Sequence, residues 1–496
     1  MSHAANDRDL GALVGELRAR QVAVIGDVMI DRYVRGQVGR LSPEAPIQVL
    51  EVGDEETMLG GAANVAHKAV GLNARVTLVG LVGDDADAED FHALVDGSRS
   101  IVPSLVVDPG RRTTVKTRFI AQNQQLLRVD REVRVAPSRR AIATLAESAY
   151  FAARSADAVI LEDYGKGVLA PEVIRAALEG ARHADAPVVV DPNGRDYRRY
   201  AGSTVLTPNV REAELASERT IHDDDSLDEA ARVLIGQTGS ALAITRDSRG
   251  ISLFQSDGFD GLSRHDAATI PVQVFDVTGA GDAVAATLAI ALACNVTLAD
   301  ACALANLAGR AVVRQFGVGA ISLGHLRDEV AAATGRPNKV VSVDRAIDRV
   351  SEVRRGGGTV AFTNGCFDIL HYGHAYLMQY ARSQADFLVL GLNTDASVRR
   401  GKGTDRPYVG EAERSYMLSL YPFVDLVVLF DEDTPMDLIA ALRPNVLVKG
   451  GDYTPETVVG REFVESYGGH VAICPRLEGL STTNLVKRIL GRGVAA

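Results

Sequence analysis

The stretch Asp276-Val-Thr-Gly-Ala-Gly-Asp282 stands at the mouth of a long apolar helix that the sequence places from about Ala283. Gly279, Ala280 and Gly281 are small enough for a tight turn that leaves backbone N–H groups bare. A helix N-terminus carries unpaired donors and a partial positive charge, so an anion can rest there. Asp282 puts a carboxylate at that same mouth, where it would repel an anion. Two roles account for it. It is an N-cap, as a lone Asp would be, or it is a general base that takes a proton from a hydroxyl while the N–H groups hold a phosphoryl group. The whole D-x-T-G-A-G-D pattern favours the base.

Around this stretch lie 496 residues, too many for one ordinary core, so two or more domains are expected. Hydrophobic residues make up 46% and charged residues 24%, as in soluble globular proteins. A net charge of −11 argues against nucleic acid or an anionic membrane as partner. The longest apolar run, Ala283 to Cys294, is too short to span a bilayer, and Met1 to Leu10 lacks a signal-peptide core, so a cytoplasmic location is expected. Cys294, Cys302, Cys366 and Cys474 show no C-x-x-C spacing and read as reduced thiols.

Taken in order, Gln21 to Ile25 reads as a buried strand running into Gly26-Asp27. Asp27 and Asp31 offer acceptors to sugar hydroxyls; turn chemistry is the alternative for each. Val34–Val52 mixes glycine, proline and β-branched residues, and Thr113–Ile120 and Leu126–Asp130 read as further strands. Gly60-Gly61 opens a helix on which Asn64 can donate to and accept from a sugar. From Arg75 to Leu206 strands and helices alternate, which implies a mostly parallel sheet covered on both faces. Polar clusters follow the strand ends, including Glu162 to Lys166 and Asn209-Val210-Arg211-Glu212, and converge on one crevice. Lys166 can reach a phosphate or remain a solvated side chain. No G-x-x-x-x-G-K-[ST] occurs, so the phosphate site is not a P-loop.

Gly356-Gly-Gly358 reads as a hinge, with residues 1–335 as one domain, 336–357 as a linker and 358–496 as a second domain. The second begins with a strand and the run Asn364-Gly365-Cys366-Phe367-Asp368, followed by His371-Tyr-Gly-His374 at a helix start. Imidazoles three residues apart share a helical face, and with free N–H groups they suit a triphosphate. A metal pair is the alternative, but no third ligand is visible in the sequence. Cys366 has no neighbouring base and reads as a packed thiol. Lys402 lies in a basic loop, Arg414 on a helix, and Ser481-Thr482-Thr483 before a final helix, where hydroxyls cap or bind phosphate.

The first set of motifs, over about residues 20–325, resembles the ribokinase-like (PfkB) sugar kinases. That resemblance implies a doubly wound α/β sheet with a β lid. It implies Asp282 as catalytic base, a sugar site at Asp27, Asp31, Gly60, Gly61, Asn64 and Lys166, and MgATP at Asn209–Glu212 and Gly279–Gly281. The second set, over about residues 358–490, resembles the cytidylyltransferase-like nucleotidyltransferases, with a Rossmann-like fold. There the catalytic residues would be His371 and His374, and Asn364, Gly365, Phe367, Asp368, Lys402, Arg414 and Ser481–Thr483 would bind the nucleotide. Arg476-Leu-Glu-Gly-Leu-Ser-Thr-Thr departs from that family's R-T-x-G-I-S-T-T at the first Thr, which puts one contact in doubt. The order of the two halves, with Glu162-Asp-Tyr-Gly-Lys-Gly167 and Val448-Lys-Gly-Gly-Asp-Tyr453, resembles the bifunctional heptose 7-phosphate kinase/heptose 1-phosphate adenylyltransferase family. It implies sugar phosphates and ATP as small-molecule partners, Mg²⁺ as cofactor, no resident protein-bound metal and a homodimer. Two alternatives stand beside it: another sugar kinase fused to a CTP-using transferase, or a chain in which one domain only binds nucleotide.

Overall fold

The computed structural model describes residues 10–121, 124–133, 135–258, 261–267, 278–314, 321–333, 339–403, 405–451 and 453–475. The chain divides into two units, Met1–Ala333 and Thr334–Ala496.

In the first unit the strands in chain order are β1 (Gln21–Gly26), β2 (Val28–Leu41), β3 (Gln48–Gly61), β4 (Arg75–Val82), β5 (Ile101–Val107), β6 (Val115–Ala121), β7 (Gln124–Arg131), β8 (Ala158–Glu162), β9 (Val188–Asp191), β10 (Val205–Leu206), β11 (Ala241–Thr245), β12 (Ile251–Ser256) and β13 (Leu262–Ala267). Nine of them form one sheet in the order β13-β12-β11-β10-β9-β8-β1-β4-β5. It is parallel except where β12 and β13 add antiparallel. The β1, β8 and β9 sequences are nearly continuous runs of β-branched and aliphatic residues, as strands covered on both faces require. Successive β1 residues alternate between two cores. Val22 and Val24 pack with the helices Ala62–Gly71, Ala280–Ala293 and Leu298–Val313. Ala23 and Ile25 pack with Arg139–Arg154, Pro171–Ala184 and Asp224–Thr238.

The expected lid is present as a separate four-stranded sheet, β3-β2-β6-β7. Register places Gly26 opposite Glu162 and Glu162 opposite Asp191, so three carboxyl ends lie level. The strand order reverses between β1 and β8, the place where open α/β sheets bind ligands.

The second unit has β14 (Val340–Val341), β15 (Val360–Gly365), β16 (Phe387–Asn393), β17 (Leu426–Phe430), β18 (Val446–Lys449) and β19 (His470–Ile473). All pair in parallel in the order β14-β17-β16-β15-β18-β19, with the reversal between β15 and β18. The expected linker at 336–357 differs from the structure. Val340 and Val341 pair with β17, and Ala346 and Val350 of the Val343–Arg355 helix enter the core. The apolar face of that helix was hidden in the sequence by its many charges. The described part of 336–357 therefore belongs to the second unit.

Gly26 tests the strand alignment. A Cβ there would overlap the Glu162 carbonyl oxygen and lie 2.8 Å from the Glu162 Cβ. Gly26→Ala is expected to destabilise the first unit by about 1–3 kcal/mol through forced backbone shifts, read as a lower urea midpoint of its unfolding transition.

Candidate active sites

The Ala280–Ala293 helix starts from Gly279, whose φ of 77° lies in the left-handed region that favours glycine. Gly279, at the cap position, has no side chain to offer this helix start. The first N–H groups of the helix lack intrahelical partners. Asp282 lies three residues beyond the cap position, is nearly buried and accepts from the Asn64 amide and, at 3.3 Å, from the Tyr164 hydroxyl. These partners are far apart in sequence, so Asp282 faces a built site and is not the N-cap. Asp276 lies outside the described residues.

Asn64 comes from the first turn of the Ala62–Gly71 helix, and its Oδ1 is buried with no hydrogen-bond partner among the described residues. A buried acceptor without a donor costs about 1–3 kcal/mol, and a substrate hydroxyl would satisfy it. Asp31 projects from β2 and pairs with Arg118 of β6. Gly60 and Gly61 end β3. A Cβ on Gly60 would overlap the Asp31 carboxylate, and Gly61 has φ 57° and lies against the Asp27 carbonyl.

Asp27 is engaged by the backbone of a neighbouring loop. Its carboxylate accepts the backbone N–H groups of Tyr164 at 2.9 Å, Lys166 at 2.8 Å and Val168 at 3.0 Å. Burial raises its pKa, and these N–H groups oppose the rise. Asp27 thus pins the loop after β8 and thereby sets Tyr164 against Asp282. The Lys166 ammonium pairs with Glu132, beside a recess that includes Arg111, Arg112 and Thr114. Lys116 of β6, which sequence reasoning passed over, stands 5.1 Å from the Tyr164 ring. It stood in the sequence beside Thr117 and Arg118 on a lid strand, with nothing to single it out.

Asn209 and Glu212 cap their own helix reciprocally, Glu212 N–H to Asn209 Oδ1 at 3.0 Å and Asn209 N–H to Glu212 Oε2 at 2.9 Å. Val210 packs against the core and Arg211 is exposed. Glu212 nevertheless bears on the site. Burial, then Glu212 and Asp282, push the Asp191 carboxyl up to about 7. Glu162, on β8, is raised well above the carboxylate range by burial and then by Asp191 and Asp282. Asp282 is raised by burial, against the Asn64 hydrogen bond, Lys68 and the Tyr164 hydroxyl. Among the described residues no three His, Cys, Asp or Glu side chains form a metal-holding group. Mg²⁺ suits such a place when phosphates supply most of its oxygens and one or two carboxylates complete them.

In the second unit β15 ends at Asn364-Gly365, next to the strand-order reversal. His371 caps the Tyr372–Ser383 helix by accepting the Gly373 N–H on Nδ1 at 3.2 Å, and His374 Nδ1 accepts the His371 N–H at 3.4 Å. The rings stack with centroids 3.9 Å apart. Since each Nδ1 accepts, each neutral ring carries its proton on Nε2 as a donor. Burial lowers the His371 pKa; burial, then His371 and Lys402, lower His374 to about 4. The neutral imidazoles thus offer hydrogen-bond donors rather than charge. Positive charge comes from exposed Lys402 and the helix start.

Three of the expected nucleotide-binding residues are engaged with the scaffold. Phe367 has φ 46°, is buried and packs edge-on against His374 at 5.2 Å. Asp368 pairs with Arg406 and accepts the Tyr408 and Val409 N–H groups at 2.6 and 3.1 Å. Burial raises its pKa, but these partners prevail and hold it below the usual range. Arg414, 1% exposed, donates to the carbonyls of Val409, Cys366 and Asn393 and to Asp395. It clamps three segments, around Cys366, Asn393–Asp395 and Val409, with four of its five N–H donors engaged. The Cys366 thiol lies 3.8 Å from Asn393 Oδ1.

Lys449, at the end of β18, reaches across the reversal to Asn364 Oδ1, and burial lowers it to about 8. It was visible in the sequence only as part of Val448–Tyr453. Ser481, Thr482 and Thr483 lie outside the described residues.

Residues 19–323 match the pfkB family carbohydrate kinases, and residues 362–488 the cytidylyltransferase-like family. The chain is 44% identical to the bifunctional protein HldE of Pelobacter propionicus, over 98% of this chain and 99% of that one. It is likewise 44% identical to the bifunctional protein HldE of Caulobacter vibrioides, over 97% and 99%. Among solved structures, phosphofructokinase-2 from Escherichia coli in complex with potassium shares the fold of the first unit. That match has a TM-score of 0.54 at 17% identity and covers 64% of this chain and 99% of that one.

Unfolded, a histidine takes its proton near pH 6.5, whereas folded His374 takes it only near 4. Between those values the unfolded chain binds more protons, so the stability of the second unit falls as pH drops from about 6.5 to about 4, by about 3 kcal/mol from this group. His374→Gln is expected to remove that share of the slope in pH-dependent urea denaturation. Arg414→Met strands its acceptors and is expected to cost the second unit about 3 kcal/mol, with the first unit's transition unmoved in the same melt.

Proposed function

Because the chain belongs to the pfkB carbohydrate kinases over its first unit and to the bifunctional HldE proteins along nearly its whole length, we propose that it makes ADP-heptose precursors of the lipopolysaccharide core in two separate reactions. The first unit phosphorylates D-glycero-D-manno-heptose 7-phosphate at its anomeric hydroxyl with ATP. The second joins heptose 1-phosphate to AMP from another ATP and releases pyrophosphate. Removal of the 7-phosphate between the steps falls to a separate phosphatase.

In the kinase, Asp282 takes the proton of the anomeric hydroxyl. Its raised pKa brings it nearer to the operating pH, which suits a general base. The oxygen attacks the terminal phosphorus of ATP in line, and ADP leaves. N–H groups of Gly279–Gly281 at the helix start stabilise the transferring phosphoryl group. Asn64 Oδ1 accepts a sugar hydroxyl, with Asp31 on the lid side. Glu212 would hold Mg²⁺, which supplies charge neutralisation to the ATP phosphates when bound. In the transferase, a phosphate oxygen of heptose 1-phosphate attacks the α-phosphorus of ATP. The Nε2–H groups of His371 and His374 and the ammonium groups of Lys402 and Lys449 align and stabilise the phosphates. The four free thiols support a reducing, cytoplasmic setting. Exposed Leu41, Ile47, Val52 and Leu127 on the lid support self-association as a homodimer.

The observation that carries the kinase reading is the buried Asp282 carboxylate, held by Asn64 and Tyr164 at a helix start whose cap position is a glycine. Asp282→Asn is expected to lower heptose phosphorylation by about 10²-fold or more while ADP-heptose formation from heptose 1-phosphate continues. An unchanged kinase rate, measured by mass analysis of products, would falsify the assignment. A nucleotide panel with pyrophosphate release tests ATP against CTP in the second reaction.

A further inference from the structure

Lys68 is a buried cation that the reaction above leaves unused. It lies one helical turn beyond Asn64 on the Ala62–Gly71 helix, so the two side chains share a face. It is 0% exposed. Its Cε stands 3.7 Å from where a Cβ at Gly279 would lie, the same point that Asn64 Nδ2 approaches to 3.0 Å and Asp282 Oδ2 to 3.6 Å. A lysine is almost never fully buried without a charge partner, and an apolar chain would fill the volume without losing hydration.

The groups acting on Asp282 come from every element packed against it. Glu162 on β8, Asp191 on β9 and Asp31 on β2 are carboxylates that disfavour its ionised form. Tyr164 and Asn64 are neutral donors, and Lys68 on the helix is a cation that opposes the carboxylates. The substrates, a sugar phosphate and ATP, bring further negative charge. We propose that Lys68 is a positioning residue of the kinase, its ammonium holding Asp282 in the ionised, base-competent state. Burial draws Lys68 down to about 8 and Asp282 holds it up, so the ammonium persists at neutral pH. The role rests on Asp282 being the base.

The test is the pH dependence of kinase kcat for the full-length chain between about pH 5 and pH 9. Transferase activity of the same preparations normalises protein amount. Protonation of the base sets the acidic limb. Lys68→Met is expected to move that limb upward by about one pH unit, and Lys68→Arg to return it toward the parent position. If Lys68→Met is insoluble, Lys68→Gln carries the same expectation. A limb that stays in place, whether kcat is unchanged or falls by one factor at every pH, overturns the proposal. Asp282→Asn is run in parallel. If it retains sugar phosphorylation, the base assignment itself fails and the role of Lys68 with it. If it is inactive while the Lys68→Met limb is unmoved, the role of Lys68 alone fails.

Discussion

An ionisable carboxylate cut off from water has to be held by neighbours, and the kinase half is arranged around meeting that demand at Asp282. The hold comes from three directions. The Ala62–Gly71 helix delivers the Asn64 amide, the loop after β8 delivers the Tyr164 hydroxyl, and the start of the Ala280–Ala293 helix fixes the backbone that carries the carboxylate. Each direction depends on a backbone approach that a larger residue would block. Gly26 lets β1 lie against β8, Gly60 and Gly61 let β3 pass Asp31 and Asp27, and Gly279 turns into the helix. The glycines and the base are thus parts of one constraint.

The second unit meets the opposite demand. Its pocket must receive negative charge without placing carboxylates in the way. Asp368, though close to the imidazoles in sequence, is fully engaged by Arg406 and two N–H groups, so its charge is spent on the wall. Arg414 is engaged in the same manner on the far side, by carbonyls and Asp395. What remains toward the ligand are neutral N–H donors and lysine ammonium groups. Stacked imidazoles with their Nδ1 atoms engaged give a directional, preorganised donor pair.

The architecture was legible wherever a motif joined glycines to a helix start or β-branched runs recurred at strand spacing. Both sheets, the lid and the helix entries at Gly279 and His371 follow from those signals. The roles of individual polar residues were much less so. Asp27, Asp368 and Arg414 sit in loops or on a helix as any ligand-binding residue would. Only the partner atoms, from segments distant in sequence, show that they bind backbone. Lys68 and Lys449 failed to stand out for the converse reason. A lysine in a short helix or strand end reads as solvated until the packing around it is known. The Val343–Arg355 segment was legible as a charged helix, but its packing into the second core was not, because an apolar stripe of a few residues is diluted within a basic and acidic sequence.

Between β1 and β2 there is a single residue, Asp27. The main sheet and the lid are therefore joined at a point whose side chain is tied to the 164–168 loop by three N–H groups. The lid strands and the loop that presents the Tyr164 hydroxyl to the proton acceptor thus share one anchor, so a change of side chain at Asp27 would disturb the seat of the lid and the aim of that hydroxyl together.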